Sequence, residues 1–292
     1  MTGFSELNPT VLTVWFMAVA GIAMFCNYPV ICIITLIGGF LLFVVRNKTE
    51  HLKSHFFFII LFAVLALANP LVSHNGKTVL FVMNNNPVTL EAFLYGLNSA
   101  AMIIGVLYIF RSFTQIMTSE KLLYVTGRLS PKLAMIMSMA IRFVPLFSRQ
   151  GQKISDTQKA MGLYNDDNIM DDISGHMRVF SVISTWALEN GIITADSMEA
   201  RGYGIGRRSQ MKRFAFCVRD IVFLIITLSL FAVSCISIAK GCLSFDFYPS
   251  VDTLETDVLG KCGIIAYVFL ISLPLFIETE VSIKWKYLQS MI

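Results

Sequence analysis

The chain has few charged residues: Asp, Glu, Lys and Arg make up 14% of its 292 residues, while apolar residues make up 55%. A typical soluble domain has about 25% charged residues. Together with a mean hydropathy of +0.68, the low charge content excludes an ordinary soluble domain and predicts a polytopic membrane protein. The formal net charge of +4 is too small to indicate a nucleic-acid partner.

The usual signatures of catalysis and metal binding are also missing. The six cysteines have no Cys-x-x-Cys spacing, and the four histidines are scattered without metal-ligand spacing. Gly76-Lys77-Thr78 matches the end of a phosphate-binding loop, but the first glycine of that pattern would fall at Leu71. No nucleophile is paired with a base in the sequence. We therefore predict that the protein is not an enzyme and holds neither a cofactor nor a metal.

Ionisable side chains are absent from the long apolar runs, where ion-coupled carriers and proton pumps usually need them. Polar residues in these runs, such as Asn98, fit hydrogen bonds between helices better than a substrate site. The sequence therefore does not look like that of a self-sufficient transporter. The runs without Asp, Glu, Lys, Arg or His are 10–45, 56–68, 92–110, 222–239 and 263–277.

The apolar runs predict an all-α fold with about six transmembrane helices. A single straight helix over 10–45 would be about 54 Å long, whereas the hydrocarbon core is about 30 Å thick. The turn signal Asn27-Tyr28-Pro29 divides this run into two short spans. The predicted spans are 10–25, 29–45, 55–70, 92–110, 221–239 and 263–278.

The positive charges predict the orientation of these spans. The segment 111–219 holds 15 of the 23 Lys and Arg residues, and the 46–54 loop and the C-terminal tail add 3 and 2. The opposite side keeps only Lys77, Lys240 and Lys261. By the positive-inside rule both termini are cytoplasmic. The predicted organisation is four spans in 1–110, a cytoplasmic region in 111–219, and two spans with a short cytoplasmic tail in 220–292.

The cytoplasmic region contains two long helical patterns. The first begins at Pro131 and reaches Ala160-Met161-Gly162, and a polar, acidic break follows over 164–172. The second starts near Ser174 and reaches Ala200-Arg201-Gly202. Gly162 and Gly202 are predicted to end the helices, because glycine readily adopts the left-handed conformation at that position.

Pro145 should kink the first of these helices, because proline lacks the amide proton and crowds the preceding turn. Arg142 lies one turn earlier, and we expect it to satisfy carbonyls freed by the kink or to meet lipid headgroups. Arg201 alone could simply complement the negative end of its helix. A juxtamembrane cluster that should contact anionic lipid comprises Arg207, Arg208, Lys212 and Arg213.

Three segments resemble the transmembrane T component of energy-coupling factor (ECF) transporters, the vitamin and transition-metal importers of bacteria and archaea. They are Ala140-Ile-Arg-Phe-Val-Pro145, Gln158-Lys-Ala-Met-Gly162 and Ala195-Asp-Ser-Met-Glu-Ala-Arg-Gly-Tyr203. The resemblance covers nearly the whole chain. It implies a non-enzymatic subunit of the cell membrane with long cytoplasmic coupling helices. Its implied partners are two ATP-binding-cassette (ABC) ATPases and a membrane S component that captures the substrate.

The resemblance also implies the docking residues. In that family the arginine of each terminal Ala-Arg-Gly-like motif enters a groove on one ATPase. Ala200, Arg201 and Gly202 match this motif, whereas Ala160, Met161 and Gly162 match it only in part. With Met161 in place of the usual arginine, docking there must rest on apolar packing and on Lys159. Unequal motifs fit a heterodimeric ATPase pair. A homodimeric pair with one weaker contact is the alternative.

Other functions remain open at this stage. The protein could be a membrane scaffold that docks other cytoplasmic partners, or a conventional ABC permease with its own substrate pathway. A membrane-embedded enzyme is disfavoured, because the spans lack an ionisable cluster. On this interpretation the sequence of this chain specifies neither the transported substrate, which an S component selects, nor whether the chain serves one S component or several.

Overall fold

The computed structural model describes residues 4–46, 52–72, 76–83, 86–163, 169–205, 214–248 and 256–289. This part of the chain forms nine α-helices, a 3-10 turn at Phe4–Glu6 and one antiparallel hairpin of strands β1 (Val79–Met83) and β2 (Asn86–Thr89). The protein is an all-α polytopic membrane protein, as its composition predicts. The helices are α1 (Pro9–Phe25), α2 (Pro29–Arg46), α3 (Leu52–Val72), α4 (Leu90–Ile116), α5 (Ser119–Leu129), α6 (Pro131–Ala160), α7 (Ile169–Ala200), α8 (Val218–Ala239) and α9 (Val258–Gln289).

The helices divide into two compact units. The first comprises Met1–Thr118 and Phe214–Ile292 and contains α1–α4, α8 and α9. The second comprises Ser119–Arg213 and contains α5, α6 and α7. The acidic segment 164–168 and the basic cluster at 207–213 lie outside the described residues.

The six helices of the first unit coincide with the six predicted spans. Within the described residues, α4, α8, residues 55–72 of α3 and residues 258–281 of α9 are long and apolar enough to cross a membrane. The helices α1 and α2 are apolar but shorter. In the second unit α6 is also long and apolar enough to cross a membrane, although its most apolar stretch has a mean hydropathy of 1.2, against 2.7 in α8. Its assignment to the cytoplasm remains a prediction.

Polar side chains join the helices of the first unit. The indole N–H of Trp15 on α1 donates to the carbonyl of Leu270 on α9 at 2.9 Å. The hydroxyls of Thr35 on α2 and Tyr267 on α9 lie 2.7 Å apart. Hydrogen bonds of this kind hold helices together in lipid, where association gains little from the hydrophobic effect.

Asn98 makes structural hydrogen bonds, but to the turn between α1 and α2 and not to a neighbouring helix as the sequence predicts. Its side-chain amide donates to the carbonyl of Asn27 at 3.1 Å and to the Asn27 side chain at 2.9 Å. Asn27 lies between α1 and α2, so this contact ties the turn at 27–29 to α4.

Glycine allows α2 and α4 to approach closely. A Cβ atom at Gly105 would lie only 2.9 Å from the backbone nitrogen of Leu36. Because backbone cannot move aside as a flexible side chain can, this contact needs a residue without a side chain.

Three elements depart from the sequence prediction. Helix α7 begins at Ile169 and not near Ser174. Asp171 and Asp172, which we placed in a polar break, lie in its first turn, where carboxylates interact favourably with the helix dipole. The short helix α5 and the β1–β2 hairpin were not predicted at all.

Candidate functional site

Helices α6 and α7 pack antiparallel in the second unit. The rings of Phe147 on α6 and Trp186 on α7 lie 5.7 Å apart. Towards the start of α6, the sulfur of Met135 accepts a hydrogen bond from the hydroxyl of Tyr203, which follows α7. The residue nearer the start of α6, Met135, thus contacts the residue that lies later in the chain, Tyr203. The C-terminal ends of the two helices therefore lie at opposite ends of the pair.

The end of α6 is a Schellman motif centred on Gly162, which has a φ of +70°. The amide of Gly162 donates to the carbonyl of Lys159 at 3.0 Å, and the amide of Leu163 donates to that of Gln158 at 3.1 Å. This pair of bonds satisfies carbonyls that a helix end otherwise leaves open. The prediction that Gly162 ends the helix is confirmed.

The end of α7 has the same backbone structure around Gly202, whose φ is +71°. The amide of Gly202 donates to the carbonyl of Glu199 at 2.8 Å, and the amide of Tyr203 donates to that of Met198 at 3.0 Å. The matching prediction for Gly202 is confirmed as well. The internal similarity of the two sequence triplets therefore corresponds to two equivalent helix ends.

The two ends differ in the side chain that precedes the glycine. At the α6 end this residue is Met161, which is 62% exposed and apolar. At the α7 end it is Arg201, which is also exposed. Within the described residues the guanidinium of Arg201 has no carboxylate partner. Each end therefore presents a solvent-facing side chain, one apolar and one cationic.

A cleft of about 430 Å³ between α6 and α7 contains Arg201 and a second arginine, Arg142. Two guanidinium groups and several hydroxyls without a lining carboxylate make an environment suited to an anionic group. Arg142, Ser138 and Met139 come from α6, and Arg201, Ile193, Thr194, Ser197 and Met198 come from α7 or directly follow it.

Of the two roles expected for Arg142, the structure addresses only the contact with carbonyls, and contact with lipid headgroups stays a prediction. Its guanidinium makes no hydrogen bond to a carbonyl near Pro145 within the described residues; its one recorded contact is with the neighbouring Phe143 ring, at 5.5 Å. Helix α6 continues through Pro145 without interruption. The side chain of Arg142 is exposed and free to contact a ligand or a partner.

A third arginine belongs to the α6 end, although no motif in the sequence points to it. Arg178 on α7 donates through Nη2 to the carbonyl of Leu163 at 2.7 Å. No local sequence pattern predicts this contact, because Arg178 and Leu163 are 15 residues apart. The sequence does not define the path of the chain segment between them.

The second unit also exposes apolar side chains along both long helices. On α6, Ile136 and Val144 are 58% and 67% exposed, and on α7, Phe180 and Leu188 are 66% and 71% exposed. Exposed apolar surface of this extent is typical of a protein or membrane interface. In the described residues no group of three or more His, Cys, Asp or Glu side chains has metal-binding geometry.

Comparison with known protein families finds a match. The family described as CbiQ, cobalt transport protein, matches residues 3–213. The matched range contains α1–α7 and both helix ends, and it stops before α8. No curated protein matches the chain.

Proposed function

Because this chain belongs to the CbiQ family of cobalt transport proteins, we propose that it is the energy-coupling transmembrane subunit of an ECF importer. In this role it binds two cytoplasmic ABC ATPases and transmits their ATP-driven motion to a membrane S component. The S component selects the cargo, a vitamin or a transition metal ion. The chain itself then needs no catalytic residue, cofactor or resident metal.

The observation that carries this proposal is the pair of equivalent helix ends on α6 and α7. A helix of 30 residues is about 45 Å long, so the two ends of the antiparallel pair are far enough apart to contact two different subunits. Long continuous helices are also stiff enough to pass on a displacement. Arginine suits the contact because its rigid fork can hold acidic and carbonyl groups of a partner.

We assign ATPase docking to Ala200, Arg201 and Gly202 at one end and to Ala160, Met161 and Gly162 at the other. The cationic end makes charge-assisted hydrogen bonds, whereas the Met161 end buries apolar surface. This difference supports a heterodimeric ATPase pair. The exposed apolar side chains of α6 and α7 are available to the S component or to the lipid interface.

The charge distribution supports a multi-pass protein of a bacterial or archaeal cell membrane with both termini in the cytoplasm. The region 111–219 would then face the ATPases, while 1–110 and 220–292 supply the spans.

The proposal is tested by reconstituting this chain with the ABC ATPases and an S component from the same organism in proteoliposomes. We expect a stable complex and ATP-dependent uptake that needs this chain. Uptake by the S component and ATPases alone would contradict the proposal. Stable binding to other cytoplasmic proteins but not to ATPases would instead identify a scaffold.

A further inference from the structure

We propose that Arg178 supplies, at the Met161 end of α6, the cation that Arg201 supplies at the end of α7. The group it would hold is an acidic side chain of one ATPase subunit. This inference rests on the proposed function, and it changes the character of that end from purely apolar to cationic.

The geometry of the caps places Arg178 in this role. Leu163 follows Gly162 just as Tyr203 follows Gly202, and both amides close the same Schellman bond. The guanidinium of Arg178 is held on the carbonyl of Leu163 at 2.7 Å. It is thus held at a residue two positions after Met161, and Met161 is the residue that corresponds to Arg201 at the α7 end.

The bond to Leu163 does not complete the α6 helix. The Schellman bonds of Gly162 and Leu163 already use the carbonyls of Lys159 and Gln158. The carbonyl that Arg178 binds lies beyond the helix, so Arg178 is not needed to satisfy a helix end. The contact mainly fixes where the guanidinium lies.

Arg178 also retains binding capacity. A guanidinium has five N–H donors, and within the described residues the recorded bond to Leu163 is its single interaction. The side chain is exposed, and no described carboxylate pairs with it. A side chain anchored by one donor loses less conformational freedom when the others bind a partner carboxylate.

The experiment removes the positive charge at Arg178 and places one at position 161 instead. The affinity of the chain in nanodiscs for the purified ABC ATPase pair of the same organism is measured over a range of salt concentrations. Arg178→Gln should weaken binding about tenfold or more, the scale of one charge-assisted hydrogen bond, and should reduce its salt dependence. Adding Met161→Arg to Arg178→Gln should restore both properties, whereas adding Met161→Leu should restore neither.

Arg149→Gln is the matched control. It removes an exposed charge from the middle of α6 and should leave the affinity unchanged. An unaltered affinity in Arg178→Gln would overturn the inference, as would a loss that Met161→Arg does not restore. The latter result would show that Arg178 acts by fixing the Leu163 backbone and not by its charge.

Arg201→Ala separates this inference from the proposed function. If neither Arg201→Ala nor Arg178→Gln weakens ATPase binding, the proposed docking is wrong. If Arg201→Ala weakens ATPase binding and Arg178→Gln does not, the proposed function stands and the role proposed for Arg178 is wrong. Should Arg178→Gln not fold, Arg178→Lys replaces it, since it keeps the charge but loses the fork. We then expect severalfold weaker binding with an unchanged salt dependence, and an unchanged affinity would contradict the inference.

Discussion

Arg142 on α6 and Arg201 at the end of α7 line the same cleft. No carboxylate lines this cleft among the described residues, so neither guanidinium has an anionic partner there. Like charges that share a site repel, and an anionic group placed between them relieves the repulsion. An acidic side chain of a partner is therefore the group that this cleft should bind most favourably.

The first prediction concerns this pair of arginines. Arg201→Ala should cost about 2–5 kcal/mol of ATPase binding if a buried, hydrogen-bonded charge pair is lost, and uptake should collapse while the chain still inserts. Arg201→Lys should rescue binding only in part, because the fork is lost.

Arg142→Gln should also weaken binding, and its effect should not add to that of Arg201→Ala, because both act on one bound group. A double-mutant cycle on ATPase affinity measures this coupling. Strict additivity would mean that the two arginines act separately, and normal uptake in Arg201→Ala would contradict docking at this end.

The contrast between these two arginines shows what the sequence could predict. The role of Gly202 as the residue that ends α7 is a local property of the backbone, so a glycine after a helical pattern was sufficient. The proximity of Arg142 to Arg201 depends on how α6 and α7 pack. No local pattern encodes it, and the sequence therefore suggested a structural role for Arg142.

The same distinction applies to the fold. Apolar runs predict the six helices of the first unit, because a helix in lipid must be apolar along its whole length. They do not predict where α4 and α9 continue past the runs, to Ile116 and Gln289, since a helix can extend beyond its apolar part. Nor do they reveal the close approach at Gly105, which depends on a neighbouring helix.

The second prediction concerns the exposed side chain of Met161. Met161→Asp should weaken ATPase binding at the α6 end more than Met161→Leu does. An aspartate would lose the apolar contact and would place a negative charge beside the acidic ATPase group that Arg178 is proposed to hold, whereas leucine nearly conserves volume and polarity. Affinity measurements on the purified complex decide this, and equal binding by both variants would place Met161 outside the interface.

The third prediction concerns Gly202. With a φ of +71°, Gly202→Ala should destabilise the end of α7 by about 1 kcal/mol, because residues with a Cβ are strained in the left-handed region. Its matched control is Gly191→Ala within α7, which has open space around the new Cβ and should stabilise the helix by up to about 1 kcal/mol. Thermal unfolding of both variants in detergent gives the comparison. Equal stability would show that the cap does not require glycine.

The fourth prediction concerns the contact between α2 and α4. Gly105→Ala should lower the thermal stability of the detergent-solubilised chain, since its Cβ would lie 2.9 Å from the backbone of Leu36. The control is Gly21→Ala on α1, where no atom lies within 4 Å of the added Cβ. An equal melting temperature for the two variants would mean that α2 and α4 can separate without cost.

The last prediction concerns transmission of motion through α6. Pro145 lies inside this helix and is exposed, so Pro145→Ala leaves no cavity in a core and should preserve folding. It restores an amide that can bond to the carbonyl of Ile141 and removes the clash of the proline ring with that turn. We expect the helix to straighten and the two docking ends to meet the ATPases at a changed angle.

Complexes of Pro145→Ala should still assemble, because Arg201 is intact, but ATP hydrolysis should be poorly coupled to uptake. The measurement is the ATPase rate beside substrate accumulation in the same proteoliposomes. A lower ratio of transport to hydrolysis is the expected result, since a stiff helix transmits a displacement only along the direction in which its ends are held. A ratio equal to that of the unaltered protein would show that the kink expected at Pro145 plays no part in coupling and that the proline serves packing alone.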